Sequence, residues 1–188
     1  MTQPSASAHA SPAPALTPAD LQAYIAQHAI AARLIGGLGE TSTVLLAATA
    51  LGVAPEQIIK SLLLLVRLPA VASGPQPVLV ISNGERRVDY RAIGVHFGVS
   101  RKKVELAPAD VVLALLGYPA GGVPPLGHRT SVPVILDPAV LALPGGDSAT
   151  VYGGGGDECT MLEITVAELR RVVQYEVVDT SQVPPAAA

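Results

Sequence analysis

The chain has 188 residues, of which 49% are hydrophobic, enough for one domain with a substantial buried core. A net charge of −3 and an aromatic content of 3% argue against broad nucleic-acid binding and against reading single strands by base stacking. No apolar run reaches the roughly 18 residues of a membrane span, the N-terminal residues lack a signal-peptide pattern, and the single cysteine fits a reducing compartment. We therefore expect a cytoplasmic protein that makes no membrane contact.

Helix caps and glycines divide the first half of the chain into predicted elements. Residues 1–15 are rich in Ser, Ala and Pro and are expected to form a disordered tail, after which Thr17 caps a helix. Ser42 or Thr43 caps a second helix, which ends at Gly52. The predicted elements of this half are helices over 17–30 and 43–52, a helical turn over 55–59, strands over 61–66 and 77–82, and a tight turn at Asn83-Gly84.

Short strands and short helices are interspersed in the second half. The predicted elements are helices over 89–98, 108–117 and 165–173, strands over 102–106, 132–136, 149–152, 159–164 and 175–178, and a helical turn after Pro138. Several links between strands are too short for a crossover helix, which disfavours a purely parallel sheet. We predict an α+β fold with a mixed, strongly curved sheet of about six to seven strands and helices packed outside it. The predicted domain spans residues 16–180, and residues 181–188 are a predicted tail.

A run of glycines and prolines over residues 117–128, Gly-Tyr-Pro-Ala-Gly-Gly-Val-Pro-Pro-Leu-Gly-His, is the most informative stretch of the chain. Such a run forms neither a helix nor a central strand, so it predicts a shaped loop whose glycines let a ligand approach the backbone closely. The alternative is a rigid turn that only connects two elements. The candidate substrate-binding residues of this loop are Gly121, Gly122, Val123, Pro124, Pro125, Gly127 and His128.

Three titratable residues are candidates for the chemistry, each with a structural alternative. Lys60 stands where an apolar turn becomes an apolar strand, so either its stem lies along the core edge with the amine in water, or its charge has a function. His128 has the ordinary pKa of about 6.5 that suits a general base, although a surface or hydrogen-bonding role is the alternative. Asp137 either caps a turn before Pro138 or lines the site.

The remaining sequence patterns are weaker evidence for a functional site. The run Gly153–Gly156 is either a flexible linker or a second wall of a pocket, with Gly154 as the candidate binding residue, and it lacks the P-loop and Rossmann signatures. Cys159 lies in an alternating sequence that predicts a buried, inert thiol in a strand. The histidines lack metal-ligand spacing, so no metal and no cofactor are predicted.

Positive charge is concentrated in one segment. Six of the twelve Lys and Arg residues lie between Arg86 and Lys103. They form either a solvated helix with its flanks or a local patch that contacts phosphates.

Several of these segments, taken in order, resemble the YbaK/prolyl-tRNA-synthetase-associated domain family. The matching segments are Leu51-Gly52-Val53 with the Gln57–Leu62 sequence, the Val78–Val88 sequence, the 117–128 loop, Gly153–Gly156 and Met161–Ile164, and the resemblance runs from about residue 20 to 180. It implies a freestanding enzyme with a pseudo-barrel sheet that hydrolyses mischarged aminoacyl-tRNA. It also implies that Lys60 is the essential lysine, and that water and the ribose hydroxyl of the substrate act in place of a protein base.

Hydrolysis of an aminoacyl ester requires a positioned water, stabilisation of the developing oxyanion and a pocket for the amino acid. The resemblance assigns the electrostatic part to Lys60, and the backbone N–H groups of Gly121, Gly122 and Val123 are candidate oxyanion donors. The implied partners are the 3′ acceptor end of aminoacyl-tRNA, with tRNA-Pro as the favoured tRNA, and prolyl-tRNA synthetase. Two alternatives stay open: a non-catalytic module that binds an aminoacyl-nucleotide or a tRNA 3′ end, and a hydrolase of small esters. The sequence does not identify the amino acid that is removed.

Overall fold

The structure is a computed structural model that describes residues 13–69 and 74–182. The α-helices in these ranges are α1 (Pro18–Gln27), α2 (Val44–Leu51), α3 (Tyr90–His96), α4 (Ala109–Leu116), α5 (Pro138–Leu141) and α6 (Val166–Val172). The strands are β1 (Ala32–Ile35), β2 (Ile59–Val66), β3 (Gln76–Asn83), β4 (Arg87–Val88), β5 (Val104–Leu106), β6 (Val134–Leu136), β7 (Thr150–Gly154), β8 (Met161–Thr165), β9 (Glu176–Val177) and β10 (Ser181–Gln182). Short 3₁₀ turns span Pro55–Gln57, Arg101–Lys103 and Gly146–Ser148. Most of the two predicted tails, residues 1–12 and 183–188, lies outside the described residues.

The strands form three hydrogen-bonded sheets. A five-stranded sheet has the order β5-β2-β3-β6-β9, in which β2 is antiparallel to β3 and β5, and β6 is parallel to β3 and β9. An antiparallel sheet has the order β1-β8-β7, and β4 pairs with β10. A bridge between Ile58 and Tyr152 joins the two larger sheets at the start of β2. The predicted mixed α+β fold is confirmed. Residues 13–69 and 74–182 contain no closed sheet, so the strongly curved pseudo-barrel stays a prediction.

Local signals determine most helix ends, as the sequence predicts. Thr17 and Asp20 form a reciprocal capping box at the start of α1, and Thr43 caps α2 by accepting from the Leu46 N–H. Gly52 ends α2 with φ +66°, and Gly117 ends α4 with φ +87°, a left-handed conformation that favours glycine. Gly117 therefore fixes the point at which the 117–128 loop leaves the helix.

Two apolar clusters cover the two faces of the five-stranded sheet. The larger cluster lies between this sheet, the β1-β8-β7 sheet and helices α1, α4 and α6, with Leu21, Leu79 and Leu169 fully buried. The second cluster packs the other face under α3, where Ile93 is fully buried against Leu64. Along β2, side chains alternate between the two clusters, and this alternation fixes the direction of each residue near the start of the strand. No helix in the described part of the chain combines the length and apolar character needed to cross a membrane.

Three sequence predictions need correction. The strands β1, β4 and β10 were not predicted, and their partners lie far away in sequence, as in the pairing of Ala32–Ile35 with Met161–Ile164. The first two residues of the strand predicted over 102–106 form a 3₁₀ turn instead. Cys159, predicted to be a buried thiol in a strand, is exposed in the turn before β8, where its N–H donates to the Asp157 carboxylate.

Candidate functional site

A cavity of about 220 Å³ lies where β2 begins, at the junction of the two larger sheets. It joins four of the residues that the sequence singled out: Lys60, Gly121, Val123 and Gly154. Its remaining wall was not predicted and comes from the residues before and at the start of α2, from the beginning of β2, and from β8. The lining residues that sequence reasoning missed include Thr41, Ser42, Thr43, Val44, Ser61 and Met161.

Lys60 carries the positive charge of this cavity. Its side chain is partly buried, and its Nζ donates to the backbone carbonyl oxygen of Arg86 at 3.0 Å. Burial, and to a smaller extent the neighbouring Arg87 charge, lower the pKa of Lys60 below its ordinary value of 10.5. All fifteen Asp and Glu side chains of the chain belong to the described residues, and none of them forms a salt bridge with Lys60. The ammonium therefore keeps donors available for a ligand.

Ser61 follows Lys60 on β2 and faces the larger core and the cavity. Its hydroxyl oxygen is buried and has no hydrogen-bond partner among the described residues. A buried hydroxyl without a partner costs roughly 1–3 kcal/mol, so such a group in a cavity indicates a bound ligand or a water. No local sequence pattern indicates such a group, because the burial of a serine hydroxyl depends on the elements packed around it.

The backbone of Ser61 also faces the open edge of β2. Strand β5 pairs only with Leu64–Val66, so β5 leaves the earlier part of β2 uncovered. The Leu63 carbonyl accepts from Ala107 N–H on the β5 side, and residues two apart on a strand direct their backbone polar groups to the same side. The backbone N–H and C=O of Ser61 consequently point away from β3, along the edge that borders the cavity.

The 117–128 loop is held against the end of β7 by backbone contacts. The Gly122 carbonyl accepts from Gly156 N–H, and a Cβ added at Gly122 would lie 2.7 Å from the Asp157 carbonyl oxygen. A Cβ added at Gly154 would lie 2.5 Å from the Val123 carbonyl oxygen. These contacts leave no space for a side chain at either glycine. The contacts favour the second-wall interpretation of Gly153–Gly156 over a flexible linker.

The three candidate oxyanion donors differ in availability. The Gly122 N–H donates to the Pro119 carbonyl oxygen at 3.1 Å, which closes a turn within the loop. The N–H groups of Gly121 and Val123 have no acceptor among the described residues, and both residues line the cavity. Lys60 and two residues whose backbone N–H groups have no acceptor among the described residues thus line one cavity, and donors of this kind can stabilise a developing negative charge.

The other predicted site residues, among them Gly122 and Pro124, do not line this cavity. Pro125, Gly127 and His128 line a wider depression of about 780 Å³, which shares its wall with α1 and with residues 172–176. His128 Nε2 lies 2.8 Å from the Pro124 carbonyl oxygen, and burial lowers the pKa of His128. This hydrogen bond gives the imidazole the structural role that was the alternative to a general base.

Asp137 is fully buried and has the capping role among its two predicted alternatives. Its Oδ1 accepts from Ala139 N–H at the start of α5, and its Oδ2 accepts from the N–H and hydroxyl of Thr180 and from the Ser181 hydroxyl. The carboxylate thus ties the C-terminal strand β10 to the five-stranded sheet. Within residues 13–69 and 74–182, no group of three His, Cys, Asp or Glu side chains is placed to hold a metal ion.

Comparison with known sequences identifies the family to which this domain belongs. A sequence model described as "Aminoacyl-tRNA editing domain" matches residues 39–172, which contain the whole cavity. The chain belongs to this family of aminoacyl-tRNA editing domains. The match includes Lys60, the 117–128 loop and the glycines of β7, so the three parts of the cavity wall are parts of the family domain.

Solved structures agree with this membership. The crystal structure of the hypothetical protein APE2540 is 31% identical with a TM-score of 0.73, covering 87% of this chain and 99% of that chain. A protein described as a "putative trans-editing enzyme for prolyl tRNA synthetase" is 26% identical with a TM-score of 0.71, covering 88% of this chain and 97% of that chain. A scaffold protein used for epitope backbone grafting is 26% identical with a TM-score of 0.72, covering 89% and 97%. The resemblance to the prolyl-tRNA editing group is confirmed at the level of family and fold.

Proposed function

We propose that this chain is a freestanding deacylase that hydrolyses the ester of mischarged aminoacyl-tRNA, with Lys60 as its electrostatic catalyst. The observation that carries the proposal is the cavity at the start of β2. It places a partly buried ammonium without a carboxylate partner beside two available backbone N–H groups, within a family domain for aminoacyl-tRNA editing. Charge of this kind stabilises a transition state in which a carbonyl oxygen becomes negative.

In the proposed reaction, a water oxygen bonds to the ester carbonyl carbon, and the carbonyl oxygen becomes the oxyanion of a tetrahedral intermediate. The Lys60 Nζ and the N–H groups of Gly121 and Val123 donate hydrogen bonds to that oxygen. When the intermediate collapses, the bond to the ribose oxygen breaks, that oxygen takes a proton, and the free amino acid leaves. His128 does not line the cavity, so we propose that the proton of the attacking water reaches the leaving ribose oxygen through the neighbouring ribose hydroxyl or through solvent.

The cavity also bears on the substrate. Its volume of about 220 Å³ and its partly apolar wall, with Val44, Val123 and Met161, suit a small amino-acid side chain such as that of Cys, Ala, Ser or Thr. The likeness to the protein described as a trans-editing enzyme for prolyl tRNA synthetase supports tRNA-Pro as the carrier and that synthetase as a partner. One methylene changes binding by only about 1–3 kcal/mol, so we expect several small amino acids to be removed.

A deacylation panel tests this proposal. Cys, Ala, Ser, Thr and Pro are each loaded on tRNA-Pro, and also on their cognate tRNAs, and the release of each amino acid is measured with the wild-type protein. Lys60→Met retains the side-chain length and removes the charge, and we expect it to lower kcat/KM by about 10²–10³ without loss of fold. Arg33→Met is the matched control, because it removes an exposed cation from β1, away from the cavity. Equal turnover by wild type and Lys60→Met would contradict the proposal, and tight binding without turnover would favour the non-catalytic module. A free amino-acid ester hydrolysed as fast as the tRNA-linked ester would favour a small-ester hydrolase.

A further inference from the structure

One face of the molecule carries a concentration of positive charge that the proposed catalytic cavity does not use. We call it the basic surface, and its members are Arg86, Arg87, Arg91, Arg101, Lys102 and Lys103. The segment 85–103 contains these six cations and only two acidic residues, so it carries a formal charge of +4, whereas the rest of the chain carries −7. All six side chains belong to exposed residues. Positive and negative charge are therefore strongly separated along the chain, although the net charge is only −3.

The cations of the basic surface have no carboxylate partners among the described residues, which include every Asp and Glu side chain of the chain. Four arginines elsewhere do form salt bridges: Arg33, Arg67, Arg170 and Arg171. The carboxylates closest in sequence, Glu85, Asp89 and Glu105, form no salt bridge with the basic surface. Asp89 accepts the backbone N–H of Arg91 as a helix cap, and Glu105 pairs with Arg67. A group of unpaired cations on one face has the electrostatic character of a surface that binds a polyanion.

The basic surface begins at the cavity. The carbonyl oxygen of Arg86 accepts from Lys60 Nζ, so the turn that carries Arg86 and Arg87 borders the catalytic lysine. From there the chain enters α3, and the guanidinium of Arg101 lies 5.4 Å from the centroid of the Tyr90 ring at the start of that helix. Lys102 and Lys103 follow in the adjoining 3₁₀ turn. The cations thus follow the chain from the turn that contacts Lys60, through α3, to the adjoining 3₁₀ turn.

We propose that the basic surface binds the phosphates of the double-helical acceptor stem of a tRNA whose 3′ end occupies the Lys60 cavity. This inference rests on the proposed function and adds the part of the tRNA that the protein contacts outside the cavity. The surface suits backbone contacts and not base reading, because its cations are exposed and the ring of Tyr90 already packs with Arg101. The negative charge of the remaining chain repels phosphates elsewhere and favours a single orientation of the stem.

The test compares the salt dependence of tRNA binding with turnover of a substrate that lacks the stem. Binding of tRNA-Pro is measured between 50 and 200 mM KCl, and turnover is measured on an aminoacyl ester of the trinucleotide CCA. Three or four phosphate contacts give a log–log slope of about −3 to −4, at roughly 0.9 per contact. Neutralising two of them in Lys102→Gln/Lys103→Gln should flatten the slope by nearly 2 and leave kcat/KM on the CCA ester within about twofold.

Arg170→Gln/Arg171→Gln is the matched control, because it also removes two exposed positive charges, but from α6. We expect its slope to equal that of the wild type, with the fold of both variants checked by thermal unfolding. An unchanged slope in the lysine double variant, or an equal change in the control, overturns the inference. If the wild type hydrolyses neither the CCA ester nor mischarged tRNA, the proposed function is contradicted. In that case, a change of the salt slope that is specific to the lysine variant would still support phosphate binding by the basic surface.

Discussion

The unpartnered hydroxyl of Ser61 gives a test of the cavity that is independent of the lysine. Ser61→Ala removes the hydroxyl and leaves the backbone of β2 unchanged. The hydroxyl is buried and has no hydrogen-bond partner among the described residues, so its removal breaks no hydrogen bond within the described part of the protein. We therefore expect the free energy of unfolding of Ser61→Ala to equal or exceed that of the wild type. If the hydroxyl bonds to the substrate, the variant loses about 0.5–1.5 kcal/mol in the transition state, which lowers kcat/KM by about 2- to 12-fold.

The two quantities are measured by urea unfolding and by deacylation under single-turnover conditions. Ser82→Ala is the matched control for stability, because Ser82 has a second buried and unpartnered hydroxyl, on β3 opposite Lys60 and not in the lining of the cavity. We expect this control to share the unchanged or increased stability. The reasoning is refuted if Ser61→Ala loses more than about 1 kcal/mol of stability while its kcat/KM stays the same, since the hydroxyl would then have a structural partner.

Two further predictions concern the loop wall and acid stability. Gly154→Ala introduces a Cβ at 2.5 Å from the Val123 carbonyl oxygen, so the loop must move. We expect urea unfolding to show a loss of about 1–3 kcal/mol in the free energy of unfolding, and we expect the deacylation rate to fall as well. Full activity with wild-type stability would contradict the close contact. The Arg171 guanidinium and the Ala31 N–H lower the pKa of Glu168 from 4.5 to about 2. Because this pKa is depressed in the folded state, the stability from Glu168 is present above pH 4.5 and is lost as pH falls through about 2. Glu168→Gln should show a smaller loss of stability over that range in acid titrations followed by circular dichroism, and an unchanged titration would contradict the assignment.

Helix ends were predictable because their causes lie within a few residues. The bonds between Thr17 and Asp20, the cap at Asp89 and the left-handed glycine at Gly117 all join neighbours in the sequence. Strands β1 and β10 were missed for the opposite reason. Each is short, and its pairing partner is remote, so no local alternation distinguishes it from a loop.

The candidate site was likewise predictable only in part. Lys60 was singled out because a charge within an apolar run is unusual, but its functional role came from the family resemblance; the loop was singled out because of its glycines and prolines. The direction of each loop residue was not predictable: Gly121 and Val123 face the cavity, whereas His128 faces the wider depression. Membership of the 117–128 loop therefore does not determine which side of the loop a residue faces.

The start of β2 combines two features that destabilise the free protein. Lys60 is an ammonium in a partly buried position near the positive charge of Arg87, and the hydroxyl of Ser61 has no partner among the described residues. A fold under selection for stability alone would place apolar residues at both positions, as it does over Leu62–Val66 of the same strand. No carboxylate of the described residues forms a salt bridge with Lys60. In the proposed function, the substrate ester supplies the negative charge that Lys60 lacks when its carbonyl oxygen becomes an oxyanion, and another group of the same substrate is the expected partner of the Ser61 hydroxyl. For this reason, we expect substitutions at these two positions to separate activity from stability, whereas substitutions at Gly154 reduce both.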